Sequence, residues 1–171
     1  ALDGAGALAL EIDPGADPRK AVSAVLKYGM EAPGSKAPAD CRQTLAPRLA
    51  PLLQKYGIAP AAVAPMKPWM LASVLAIGEF STLGYRSDLA VDNYLSQQAK
   101  ARKIPVVELE SMEGQMALFG AMSPLDQCRF LEDGVASIED QEQSQEAREI
   151  ADAWRNADAA SFDKLAAKAA T

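Results

Sequence analysis

Two stretches decide how this chain reads: Ala7-Leu8-Ala9-Leu10-Glu11-Ile12-Asp13 and Ile104-Pro105-Val106-Val107-Glu108-Leu109-Glu110. In the first, Leu8, Leu10 and Ile12 alternate with Ala7, Ala9 and Glu11, the two-residue period of a strand with one bulky and one small face. Pro14-Gly15 ends it, and the second stretch is a strand of the same kind. Helical sequence lies between them, and helices between two strands imply a parallel sheet. Two parallel strands are fewer than a stable sheet needs. The expected fold class is therefore helix-rich α/β: a few strands of an incomplete, parallel or mixed sheet packed with about seven helices. The missing partner strands are expected to lie outside this chain.

Helix signals fill the interval. Asp17-Pro18 is an N-cap with proline at the first helical position, opening a helix that turns Val22, Val25 and Leu26 inward and stops at Gly29. Residues 30–39, with Pro33, Gly34 and Pro38, read as a loop. Leu45, Leu49, Leu52, Leu53 and Tyr56 form a helical stripe ending at Gly57, although Pro47 and Pro51 sit within it. A short turn is expected between Pro60 and Pro65. Lys67-Pro68-Trp69-Met70 opens the most apolar stretch, which runs to Phe80 with Glu79 as its only later charge. That is shorter than the ~20 residues of a bilayer span, so it reads as a buried helix and no membrane span is expected. Residues 87–103 form an amphipathic helix with Val91, Tyr94, Leu95 and Ala99 on one side. Ser123-Pro124 starts a long helix, Ile150 and Trp154 resume its apolar stripe after a polar run, and residues 158–170 form the last helix.

The length, 171 residues, suits one domain spanning residues 1–171. The apolar fraction of 49% with 23% charged residues is that of a globular chain. A net charge of -6 argues against a nucleic-acid partner. There is no histidine, which excludes a histidine triad, an imidazole proton shuttle and an imidazole metal site built within the chain. Cys41 and Cys128 are either independent buried thiols or one long-range bridge.

Ligands of open α/β sheets bind beyond the carboxyl ends of the strands, and both strand candidates carry a glutamate there. Glu11 and Glu110 are the candidate site residues, able to bind a divalent ion or to work as a general acid/base pair. A charge in an otherwise apolar strand is costly to bury without a reason. Asp13 and Glu108 are weaker candidates on the same argument; Asp13 also precedes a turn, and Glu113 lies in the first turn of a helix, each of which explains an acid structurally. Glycine-rich phosphate loops, GxSxG and CxxC are absent.

Several motifs in order carry a family resemblance. They are Lys67-Pro68-Trp69-Met70, Gly84-Tyr85, Val91-Asp92-Asn93-Tyr94-Leu95 with Ala99-Lys100, and Pro105-Val-Val-Glu-Leu-Glu110-Ser-Met-Glu113-Gly-Gln115-Met-Ala-Leu-Phe119. Leu8-Ala-Leu-Glu11-Ile-Asp13 precedes them, and Trp154-Arg-Asn-Ala-Asp158 with Phe162 and Leu165 follows. The chain resembles the TraB/GumN family along nearly its whole length. That family includes the Tiki-type metal-dependent proteases, whose metal site draws on two GxxH motifs with glutamates between them. The resemblance implies metal-binding and catalytic roles for Glu11 and Glu110, a divalent metal cofactor and a peptide substrate. Position 108 is glutamate where the family often has glycine.

Both GxxH motifs are absent here. The chain is therefore expected to be the central part of a TraB/GumN-like domain lacking its first and last strands, and inactive by itself. The resemblance also implies a periplasmic or secreted location, which raises the weight of a Cys41–Cys128 bridge. The alternative reading is a non-catalytic helical binding or scaffold module, accessory to exopolysaccharide production or export. An incomplete sheet further suggests self-association through its open edges.

Overall fold

The computed structural model describes residues 2–32 and 41–169. The element order is β1 (Leu8–Leu10), α1 (Pro18–Ala24) running on into a π-helical turn (Val25–Gly29), α2 (Cys41–Lys55), α3 (Pro60–Val63) and α4 (Pro68–Thr82). A 3₁₀ turn (Ser87–Leu89), α5 (Val91–Ala101), β2 (Val106–Glu108), α6 (Met112–Gly120), α7 (Pro124–Glu139), α8 (Glu142–Arg155) and α9 (Ala159–Ala169) complete it. The expected loop at residues 30–39 lies outside the described residues from position 33 onward. The turn expected between Pro60 and Pro65 contains the four-residue helix α3.

β1 and β2 pair in parallel, with Leu8 opposite Val106 and Leu10 opposite Glu108. Both strands are shorter than their apolar runs suggested, so Glu11 and Glu110 lie just past the strand ends. The ladder nevertheless continues: Leu109 N donates to Leu10 O and Glu110 N to Glu11 O, each at 2.9 Å. Among the described residues these are the sheet's two strands, which leaves both outer edges unpaired.

The core lies among α2, α4 and α7. Leu45, Leu49, Leu52 and Leu53 meet Leu71, Ala72 and Leu75 of α4 and Leu131, Val135 and Ile138 of α7. Helix α2 passes through Pro47 and Pro51, which are exposed together with Gln43. The carbonyls freed by the two missing N–H groups, those of Gln43 and Pro47, therefore belong to a water-facing side of the helix. Asp17 and Ser123 cap α1 and α7 as their sequences predicted, and Ser111 caps α6 by accepting from Gly114 N. Cys41 and Cys128 form a disulfide that ties the start of α2 to α7.

Several apolar residues with helical spacing are turned outward. Val22 and Leu26 are exposed, because α1 and its π turn pack on α6 through a face that buries Ala24, while Gly29 lies against Met70 of α4. Val91 and Tyr94 are exposed, while Ser96 and Ala99 carry the inner side of α5. Trp154 is 71% exposed, in contrast to Trp69 at 2%, which stacks on Phe119 with ring centroids 5.3 Å apart. No described helix is long and apolar enough to cross a membrane.

Candidate functional site

The parallel register sets Glu11 and Glu110 side by side at the carboxyl edge of the sheet. Their backbones are joined by the Glu110 N to Glu11 O hydrogen bond, and their side chains meet at Gln115 in the first turns of α6. Gln115 Nε2 donates to Glu11 Oε1 and, at 3.1 Å, to Glu110 Oε2. The two candidate glutamates are thus brought together on one amide. Both are exposed, so the cost of burying a charge within a strand does not account for them. Gln115 belongs to the strand-to-helix segment that carries the family resemblance, but its role as the shared donor was not legible there.

The other acids divide. Asp13 closes the loop after β1. It accepts from Ser96 Oγ at 2.6 Å and from Gly15 N at 2.9 Å, and it pairs with Lys100 Nζ at 2.9 Å. Burial pushes the Asp13 carboxyl up, but Ser96, Lys100 and the Gly15 N–H outweigh it and hold the group below its usual range. Glu108 Oε1 accepts from Asp13 N at 3.1 Å, which fixes the chain direction past Ile12. Glu113 faces elsewhere, against Lys27 Nζ at 2.8 Å and Tyr28 Oη at 3.1 Å. These hydrogen bonds, with the Lys27 charge, lower its carboxyl below the ordinary range. Asp13 and Glu108 are therefore framework for the edge, while Glu11 and Glu110 are exposed at it.

Chemically, two exposed carboxylates on one amide NH2 group offer hard oxygen ligands to a cation. Among the described residues no group of three or more His, Cys, Asp or Glu could hold a metal ion. Two carboxylates are too few to complete the coordination of a divalent ion.

A second cluster lies away from the sheet. Glu79 is 4% exposed and accepts from Lys55 Nζ at 2.5 Å, from Tyr56 Oη at 2.7 Å and from Ser144 Oγ. Gly78 makes this possible, since a Cβ there would come within 2.7 Å of the Tyr56 ring. Burial would raise the Glu79 carboxyl, but its three donors win and hold it low. The sequence signal was available: Glu79 is the one charge late in the most apolar stretch.

Beside this cluster, α4, the 3₁₀ turn, α8 and α9 enclose a groove of about 820 Å³. Ile77, Phe80 and Leu89 line one side, and Ile150, Trp154 and Phe162 the other.

Comparison with known proteins adds the following. The model of the TraB/PrgY/gumN family matches residues 1–171. A segment of 65 residues is 37% identical to the uncharacterized protein YbaP of Escherichia coli (strain K12), covering 38% of this chain and 25% of that protein. YbaP of Shigella flexneri matches with the same identity and coverage. The match thus spans about a quarter of each of these curated relatives. No solved structure matches the chain at a significant level.

Proposed function

The chain belongs to the TraB/PrgY/gumN family, and from that membership we propose that it carries the carboxylate part of a metal-dependent, peptidase-like hydrolase site. The observation that carries the reading is the meeting of Glu11 and Glu110 on the Gln115 amide. A group that already donates to both carboxylates marks a place where positive charge is favourable.

Glu11 and Glu110 are the residues that would hold a divalent ion. Such an ion, when bound, supplies Lewis-acid polarisation of a carbonyl and a more acidic water. Gln115 spaces the two carboxylates and lowers their mutual repulsion. Asp13, Ser96 and Lys100 hold the loop after β1 so that Glu11 stays at the edge. The imidazole ligands that the GxxH motifs would bring are not encoded in this sequence, so the chain alone is expected to bind a metal weakly and to be inactive as a hydrolase. An oxidising, periplasmic or secreted setting goes with this reading, supported by the Cys41–Cys128 disulfide. Self-association through the two unpaired sheet edges is part of the same proposal.

A second reading, a non-catalytic helical binding or scaffold module, is favoured by the aromatic groove between α4 and α8. Equilibrium dialysis against Mn²⁺ separates the two. The first reading expects one weakly bound ion that is lost in the Glu11→Gln/Glu110→Gln double variant. Equal uptake by both proteins would leave the glutamates without a metal role and favour the second.

A further inference from the structure

Helices α8 and α9 are thinly anchored. Within α8 only Ser144 and Ala153 are buried, and its large apolar residues Ile150 and Trp154 turn to the groove instead of the core. Helix α9 packs chiefly on α8. The joint between α7 and α8 is Gln141, a non-glycine residue at φ 61° and ψ 13°, in the left-handed region. Among the described residues two polar fasteners hold α8 down. One is the buried Ser144 Oγ donating to Glu79 Oε1, and the other is Tyr85 Oη donating to Ala147 O at 3.3 Å.

The fixed half of the first fastener is held independently of α8, by Lys55 at the end of α2 and Tyr56 just after it. The two groove walls are both apolar and both exposed, so any approach of α8–α9 toward Ile77, Phe80 and Leu89 removes apolar surface from water. Segments with few buried apolar contacts also open before the core does. From the hinge, the latch and the facing walls we infer that α8–α9 is a movable flap, turning at Gln141, latched by Ser144 on Glu79, and opening or closing the aromatic groove. The flap is independent of any metal at Glu11 and Glu110.

Hydrogen exchange on the full chain tests it, with Ser144→Ala as the latch variant and Ser123→Ala as a control that removes the α7 cap. Ser144→Ala keeps Glu79 paired with Lys55 and Tyr56, so the core should persist. The flap predicts that amides of residues 142–169 exchange faster than those of α4 and α7 in the unmodified protein. Ser144→Ala should then speed exchange over 142–169 by roughly tenfold while leaving α4 and α7 unchanged. Ser123→Ala should not single out 142–169. An equal acceleration of every helix by Ser144→Ala would make Ser144 part of the global fold and overturn the flap. No change over 142–169 would overturn the latch.

Discussion

Glu11 and Glu110 lie far apart in sequence, one just after β1 and the other just after β2, and share one hydrogen-bond donor, the side-chain amide of Gln115. The parallel ladder already aligns their backbones. What α6 adds is a neutral donor between two negative groups that would otherwise repel.

Replacing that donor by an acid reverses the balance. Gln115→Glu places three carboxylates together, which should lower stability by about 1 kcal/mol through like-charge repulsion. The same change should tighten Mn²⁺ binding several-fold, because affinity for hard cations grows with the number of charged oxygen ligands. Chemical denaturation with and without Mn²⁺ measures both, and a variant that loses stability without gaining affinity would separate Gln115 from any cation site.

The Glu79 network predicts a pH effect. Its native carboxyl is held below the ordinary value of 4.5 by Lys55, Ser144 and Tyr56 against the opposing effect of burial. A carboxylate lowered in the folded state stabilises above its unfolded value and loses that stabilisation as pH falls through its folded value. Glu79→Gln should therefore cost about 2 kcal/mol at neutral pH. The gap between the two proteins should narrow on acidification below pH 4.5. Urea midpoints from pH 7 to pH 3 give the comparison, and a gap that widens toward acid would reverse the assignment.

Ser96→Ala removes a hydroxyl that is 1% exposed and donates to Asp13. The expected loss is about 1–2 kcal/mol, since Asp13 keeps Lys100 and the Gly15 N–H. Thermal unfolding at neutral pH reads it directly. A neutral substitution would mean that water replaces the serine at no cost.

The disulfide closes a loop between positions separated by 87 in sequence. On the chain-entropy account, Cys41→Ala/Cys128→Ala should lose about 4 kcal/mol. For a chain of this size that corresponds to a fall of roughly 10 °C in Tm. Calorimetry of the oxidised, reduced and double-variant proteins checks it, and the last two should agree.

Local signals were the most legible part of the fold. Asp17-Pro18 and Ser123-Pro124 start helices as caps with proline should, and the leucine stripe of α2 faces the core despite two prolines. The pairing direction followed from the helices between the strands. Less legible was which apolar stripe finds a partner. Val22, Leu26 and Trp154 have helical spacing, yet α1 packs through its small residues on α6 and α8 leaves its large ones in a groove. The glutamate pair was readable from strand ends, but the shared Gln115 donor was not, because a contact across such a sequence distance depends on where α6 docks. The disulfide was hidden for the same reason, and both readings of the cysteines fitted the sequence.

Paramagnetic broadening of backbone amides by Mn²⁺ tests the central claim most directly. Added to the isotopically labelled chain, the ion should broaden signals around Glu11, Glu110 and Gln115, and the effect should disappear in Glu11→Gln/Glu110→Gln. Broadening centred elsewhere, or unchanged in the double variant, would contradict a metal role for this pair.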